Sequence, residues 1–326
     1  MKIIVTGGAG FIGSNLVDQL VIKGHRVTVI DNFVTGSIKN LRKSLDKIKL
    51  VKKSILDKNI TKYFKNIDCV FHLAGLADIV PSINNPSKYF DYNVNGTLHV
   101  LECMKVNNVK KIIYSASASC YGIPKKFPTS ENSEIDTKYP YALTKYLGEK
   151  LVMHWGKIYK FESISARFFN VYGPRSRTSG AYGAVFGVFL AQKINNKPLT
   201  VVGNGKQTRD FIYVSDLVAA LIKILNSSKK NKIYNIASGK ETSVNKIAKL
   251  IGGKKIFIPK RPGEPDRSLG DIKKIKKDLN WSPKISIDQG VNNLLKNLQD
   301  WKKAPIWTPK KIKRETKNWF KLLKNT

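Results

Sequence analysis

Apolar and polar positions along the chain follow two alternating periods. Short β-branched runs recur at Lys2–Thr6, at 26–30 and at 111–114. Each is apolar almost throughout, as in a parallel strand covered on both faces. Between them, apolar residues stand three and four apart. Phe11, Ile12, Leu16, Val17, Leu20 and Val21 fall on one helical face, and 141–159 shows the same period after Pro140. This alternation runs from Lys2 to about Arg167 and predicts an α/β fold, a doubly wound parallel sheet. The pattern then changes. Gly173 and Pro174 open a loop to about Gly183, an apolar helix is expected over 184–192, and Leu199–Val202 and 210–214 read as short strands. No internal repeat or low-complexity linker interrupts the chain.

Candidate chemistry sits at the ends of these elements. Gly7, Gly10 and Gly13 follow the first strand at intervals of three. Glycine permits positive φ and lets backbone amides approach a pyrophosphate, while the next helix points its positive end at the phosphates. Asp31 closes the second strand about 20 residues further on, where a carboxylate accepts from adenosine ribose hydroxyls and repels a 2′-phosphate. No Arg or Lys between Asp31 and Gly36 offsets that repulsion, so NAD rather than NADP is the expected cofactor.

Tyr141 and Lys145 are four residues apart and share a helix face. A free phenol titrates near about 10 and is a poor base at neutral pH. A nearby ammonium and a positively charged nicotinamide are expected to favour phenolate and make Tyr141 a usable general base. Ser115, Ser117 and Ser119 lie at the end of the 111–114 strand, where such sheets open onto a ligand crevice. Ser117 is the expected partner of the substrate oxygen beside Tyr141; Ser115 and Ser119 are expected to hold loop and backbone.

With these residues in place, the chain resembles the extended short-chain dehydrogenase/reductase family, and within it the UDP-glucose/UDP-N-acetylglucosamine 4-epimerases. The resemblance covers nearly the whole chain. It rests on GGAGFIG from Gly7, HLAG from His72, NVNGT from Asn93, SASASCYG ending at Gly122, and Tyr141 with Lys145. It continues through RFFNVYGP from Arg167, TRDFIYV from Thr208 and RPGE from Arg261. It implies a Rossmann-type sheet with a smaller, discontinuous α/β C-terminal substrate lobe. The NAD-binding domain would span 1–169 with returning segments around 205–235, and the nucleotide-sugar lobe mainly 170–326. It implies a catalytic set of Ser117, Tyr141 and Lys145, with Asn93 in support. Gly7, Gly10, Phe11, Ile12, Gly13, Asp31, Asn32, Ile55, Leu73, Ala74, Gly75, Asn93, Tyr141 and Lys145 would surround the cofactor. Asn170, Arg209, Arg261 and Glu264, with Ser117 and Tyr141, would hold the nucleotide-sugar; planar guanidinium forks suit diphosphate oxygens.

Two departures stand out. Many relatives carry an acid just before the isoleucine of the third-strand turn, where this chain has Ser54 before Ile55; some carry a lysine where it has Ala77.

The same scaffold also supports dehydration and decarboxylation. The 4,6-dehydratases it resembles place an Asp-Glu pair after the catalytic hydroxyl, and the decarboxylases a glutamate in the same loop. This chain has Ala118 and Ser119 there. That leaves oxidation and re-reduction of a sugar carbon, as 4-epimerisation of a UDP-hexose requires; a UDP-glucuronate 4-epimerase or another nucleotide-sugar oxidoreductase or dehydratase is the alternative. In the relatives, a bulky residue five positions after the glycine of the RPGE motif restricts the pocket to plain hexoses. Ser268 stands there, which implies room for an N-acetyl group.

Composition narrows the rest. The 326 residues, 42% hydrophobic, suffice for one large core and a smaller lobe. There is no apolar run of about 18 residues, hence no expected membrane span, and the chain begins on a core strand, hence no expected signal peptide. Cys69, Cys103 and Cys120 show neither pairing nor metal spacing, which fits a reducing cytoplasm; a nucleophilic role for Cys120 is rejected on its position relative to the tyrosine. The formal charge of +35 is mostly lysine spread along the chain, so composition bias is favoured over a specific nucleic-acid partner, and it helps attract anionic substrates. A homodimer through helices at about 85–106 and 141–159 is expected by resemblance. The tail from Trp301, with Trp307 and Trp319, is expected to form a final helix packed on the lobe rather than on a membrane surface. The rival class, a non-catalytic NAD or RNA binder, is disfavoured by the intact Ser117, Tyr141 and Lys145.

Overall fold

In the computed structural model, residues 1–176 and 185–323 are described. The strands among them are β1 (Lys2–Thr6), β2 (Arg26–Asp31), β3 (Ile48–Lys52), β4 (Cys69–His72), β5 (Lys111–Ser117), β6 (Glu162–Phe168), β7 (Asn170–Tyr172), β8 (Leu199–Val202), β9 (Thr208–Tyr213), β10 (Lys232–Ile236), β11 (Glu241–Ser243) and β12 (Lys255–Ile258). Seven of them form one parallel sheet in the order β10-β6-β5-β4-β1-β2-β3. This is a Rossmann-type arrangement, and its order reverses between β1 and β4, where a crevice opens at the carboxyl ends of the strands.

Alternation along each strand divides the core in two. Ile3, Val5, Cys69 and Phe71 face the side covered by helices Phe11–Ile22 and Val214–Leu225. Ile4, Val70, Ile112 and Tyr114 face the side covered by helices Gly96–Val106 and Pro140–Ile158. Both faces are apolar, which is why the strands read as continuous apolar runs. Pro140 opens its helix at the first turn, where a missing N–H costs nothing.

A second core gathers Tyr172, Phe186, Phe189, Leu199, Phe211, Ile247, Val291 and Trp301. Around it lie a three-stranded sheet, β11-β9-β7, and a parallel pair, β12-β8. The helix Ile287–Lys296 on this core begins with a reciprocal cap between Ser286 and Gln289.

Several boundaries differ from the sequence expectation. β5 runs on to Ser117 because Ser115, Ala116 and Ser117 keep pairing with Ala166, Arg167 and Phe168. β9 covers Thr208–Tyr213, and Val214 already begins a helix. The helix expected over 184–192 is Val185–Ile194. Of the loop expected from Gly173 to Gly183, positions 177–183 lie outside the described residues. The tail is not one helix. It is a 3-10 turn, Leu298–Trp301, then helices Pro309–Glu315 and Lys317–Leu322. Pro305 and Pro309 lack the N–H that would carry a helix through, and Thr308 caps the new start by accepting from the Lys311 amide. Trp301 and Trp319 are buried, but in different places: Trp301 in the second core, Trp319 against Val80 and Leu323.

Candidate active site

The parallel register brings the candidate residues to one edge of the sheet. Thr6 stands opposite Ile30 on one side and His72 on the other, and His72 opposite Tyr114, just before the serines. Gly7 turns the chain at φ +70, and a Cβ there would lie 2.7 Å from the Ala74 amide nitrogen. A Cβ at Gly13 would strike the Gly7 carbonyl oxygen. Gly10 has only the Gly7 carbonyl nearby, 3.2 Å from a built Cβ, and supplies the N-cap of helix Phe11–Ile22. Two glycines therefore permit close backbone packing, and the third leaves the helix N-terminus open for a phosphate.

Asp31 is buried at the end of β2. Its carboxylate accepts from the Ala9 amide (2.9 Å) and the Phe33 amide (2.8 Å), tying cradle to strand end. Burial raises its pKa, and the two amides pull it back. About two of its four acceptor sites are used, which leaves capacity for ribose hydroxyls. Asn32 holds the next turn, its Oδ1 accepting from the Val34 amide. Ile55 is buried beneath Gly96, and its carbonyl accepts from His99 Nδ1 (2.6 Å).

On the other side of the crevice, Tyr141 shares a hydrogen bond with Ser117. Ser117 Oγ donates to Ser119 Oγ (3.0 Å) and accepts from the Ser119 amide (3.1 Å). Lys145 Nζ donates to Ser115 Oγ (3.4 Å) and lies over the Tyr114 ring, 4.4 Å from its centroid. A Cβ at Gly75 would come 3.8 Å from that Nζ, so the turn after β4 runs against the ammonium.

The electrostatics of the pair differ from the sequence expectation. Burial pushes the Tyr141 phenol up to about 12, opposed by the Ser117 hydrogen bond and aided by the charge of Asp78. Burial pushes Lys145 down to about 7, opposed by Glu149 one turn further on. Lysine does not depress the phenol here, because desolvation disfavours both charged forms. Glu149 is itself held by Arg167 (Nη2 to Oε1, 2.6 Å) and Ser165 (2.7 Å). Cys120, pushed up to about 12 by burial, is a neutral thiol.

Asn93 is occupied as a clamp. Its Oδ1 accepts from the Leu76 amide (2.8 Å), and its Nδ2 donates to the Leu76 carbonyl (3.0 Å) and Thr144 Oγ1 (3.0 Å). It fixes the Leu73–Ala74–Gly75 turn rather than offering a free donor. Two further side chains bear on the geometry and charge of the site. His72 is wholly buried, with Nδ1 2.7 Å from Thr6 Oγ1 and Nε2 3.0 Å from Thr97 Oγ1. Thr97 donates to the Asn93 carbonyl (2.7 Å), so the ring carries its proton on Nε2 and accepts at Nδ1. Burial holds it near about 3, hence neutral. Its motif position was the only signal, because a lone histidine in an apolar strand reads as core. Asp78, close enough to raise the Tyr141 pKa, lies in a loop with no pattern to mark it.

The residues expected to hold a substrate gather farther out. Glu264 sits between two arginines, Oε1 3.1 Å from Arg261 Nη1 and Oε2 3.8 Å from Arg209 Nη2. Arg209 and Glu264 line a cavity of about 480 Å³ together with Gly203, Lys206 and Lys260, and Arg261 reaches it through Glu264. Two guanidiniums with one carboxylate leave a net positive, partly buried cluster suited to a diphosphate. Asn170 donates to the Asp210 carbonyl (3.3 Å). Ser268 is half-buried in a stretch fixed by Arg267 to Glu241 (2.7 Å) and by the Gly270 amide to Asp210 (3.1 Å).

Known proteins resemble this chain in sequence and fold. A family model described as GDP-mannose 4,6 dehydratase matches residues 4–294. A Methanocaldococcus jannaschii protein, provisionally named UDP-glucose 4-epimerase, is 37% identical over 302 residues, spanning 90% of this chain and 97% of its own. The solved UDP-N-acetylglucosamine 4-epimerase of Methanobrevibacter ruminantium, in complex with UDP-N-acetylmuramic acid, superimposes with a TM-score of 0.85 at 30% identity, covering 91% of this chain and 98% of its own. The UDP-glucuronic acid 4-epimerase of Bacillus cereus, in complex with UDP-glucuronic acid and NAD, gives 0.85 at 30%, covering 92% and 99%. Among the described residues, no helix is long and apolar enough to cross a membrane.

The depressed Lys145 has a measurable consequence. Its folded pKa of about 7 lies below the ordinary 10.5, so between those values the unfolded chain binds a proton that the folded chain lacks. Wild type should therefore gain stability relative to Lys145→Met as pH rises through that window, and the difference should level off below it. Urea unfolding of both proteins at stepped pH reads this directly; a difference that stays flat from 7 to 10 would show that Lys145 keeps its charge in the fold.

Proposed function

The chain belongs to the GDP-mannose 4,6 dehydratase family of extended short-chain dehydrogenases/reductases, and within it we propose that it is an NAD-dependent 4-epimerase of a UDP-hexose. The observation that carries this reading is the hydrogen-bonded set Tyr141, Ser117 and Ser119. Ala118 and Ser119 occupy the positions at which dehydratases and decarboxylases of the resemblance carry their carboxylates. The set can move one hydroxyl proton out and back, and it lacks the acid and base at those positions that would expel water.

Gly7, Gly10, Phe11, Ile12 and Gly13 would receive the cofactor pyrophosphate, Asp31 and Asn32 would hold its adenosine ribose, and Ile55 would line the adenine side. Leu73, Ala74 and Gly75 wall its path. When bound, NAD supplies the hydride acceptor and donor at the sugar carbon, and a positive ring charge that favours phenolate. Tyr141 takes the proton of the C4 hydroxyl and later returns it. Ser117 hydrogen-bonds the same sugar oxygen through both half-reactions. Lys145 holds its ammonium near Ser115 and orients the ribose side of the site. Arg209, Arg261 and Glu264, with Asn170, keep the nucleotide fixed while the flat sugar turns about its diphosphate link. That fixed end and free end are what let one face of the ring be oxidised and the other reduced.

Purified protein incubated with UDP-, GDP- and dTDP-sugars should interconvert a pair of UDP-hexose 4-epimers without added cofactor. Tyr141→Phe should lower turnover by about 10² to 10⁴-fold while retaining UDP binding. Interconversion undiminished in that variant would remove the reading. Ser268 is proposed to leave room for an N-acetyl group. Ser268→Tyr should cut turnover of UDP-GlcNAc at least tenfold relative to UDP-glucose, about the discrimination one filled pocket provides; an unchanged ratio would place the gate elsewhere. A homodimer through helices near 85–106 and 141–159 completes the reading. Phe90, Leu98 and Leu143 there are exposed, and sedimentation should give a dimer mass, a monomer at micromolar concentration being the contrary result.

A further inference from the structure

We propose that the C-terminal helix completes the nucleotide-sugar pocket, with Trp319 as a positioning residue for Arg261 and Tyr139; this rests on the epimerase reading above. Trp319 lies in the helix Lys317–Leu322, beyond residue 294, where the family match ends. It is nonetheless only 1% exposed.

Its surroundings join the two halves of the site. The indole Nε1 donates to the Pro262 carbonyl (2.7 Å), which fixes the turn between Arg261 and Glu264. The Arg261 guanidinium lies over the indole, 5.5 Å from its centroid, and the same side chain reaches Glu264. The Tyr139 ring packs against the indole from another side, centroids 6.3 Å apart. Tyr139 stands two residues before Tyr141, and its hydroxyl shares a hydrogen bond with Ser119, which in turn bonds Ser117. One indole therefore lies between Arg261 of the arginine cluster and the ring of Tyr139, whose hydroxyl leads on to Ser119 and Ser117.

The helix is also tied to the segment that follows the Gly75 turn. Asn318 Nδ2 donates to Asn84 Oδ1 (2.8 Å), and Val80 packs with Trp319 and Leu323. Burial alone would need only an apolar surface. This indole instead directs its N–H to Pro262 and its π face to Arg261. A guanidinium held over an aromatic face loses rotamer freedom before the ligand arrives, so less is lost on binding.

The test uses the full chain as purified, with UDP binding by calorimetry, nucleotide-sugar kinetics, bound NAD content and thermal melting measured together. Trp319→Ala should weaken UDP binding and raise KM about tenfold, the scale of one cation–π contact plus the ordering of an arginine. NAD content should stay at the wild-type level, and kcat should fall less than KM rises. Trp319→Phe, which keeps a ring face but no N–H, should recover most of the affinity. Wild-type UDP affinity in a folded, NAD-containing Trp319→Ala protein would overturn the proposal. If that variant loses NAD and fold together, Trp319→Phe decides: a twofold to fivefold weaker UDP affinity with unchanged NAD content supports the positioning role, and unaltered affinity overturns it. Failure of wild type itself to bind UDP would instead remove the epimerase reading.

Discussion

The ends of β1 and β4 approach so closely that position 7 admits no side chain, and the rest of the site is arranged around that approach. A Cβ on Gly7 would meet the backbone of Leu73 and Ala74. The contact is held from within by a buried polar line: the Ala74 amide to Thr6, Thr6 to His72, His72 to Thr97, and Thr97 to the Asn93 carbonyl. Buried polar groups of this kind hold a geometry well only when each is satisfied, and here each has a partner. The same Asn93 clamps Leu76, and Lys145 lies against Gly75. The glycine turn and the helix that carries Tyr141 and Lys145 are therefore built on one shared turn.

Burial holds charge back at that turn. Burial favours the neutral phenol of Tyr141 and lowers Lys145 toward neutrality. The carboxylate one turn further along the helix is held away from the crevice: Glu149 is paired to Arg167 of β6, which also donates to the Tyr121 hydroxyl (2.8 Å). Such a buried pair stabilises little by itself, but removing one member leaves a charge stranded in low dielectric. Its place beneath Lys145 keeps a negative potential near the ammonium without exposing a second base to the crevice.

Much of the cradle side was legible in sequence because its constraints are local. The run Lys2–Thr6 forms the strand it suggests, and Phe11 begins its helix where the apolar period begins. Asp31 is at the strand end that its spacing implied. The chemistry side was legible as residue types but not as energetics. Tyr141 and Lys145 do share a helix, yet their proton affinities are set by burial, which depends on packing from β4, β5 and the Gly75 turn together. β5 was read short because Ser115 and Ser117 look like loop residues, although β6 supplies them with ladder partners. The tail was read as one helix because its aromatics mark burial without saying where; the prolines at 305 and 309 split it and send Trp301 and Trp319 to different cores. His72 could not be weighed from the strand pattern, since its worth lies in two threonines from elements far apart in the chain.

The central proposal is that the sugar carbon loses and regains the same hydrogen, with Tyr141 handling only the hydroxyl proton. Its most direct test is a UDP-hexose deuterated at C4, incubated with the protein alone and followed by NMR and mass spectrometry. The expected result is both 4-epimers with the deuterium retained at C4. Loss of that label to solvent during interconversion would contradict it.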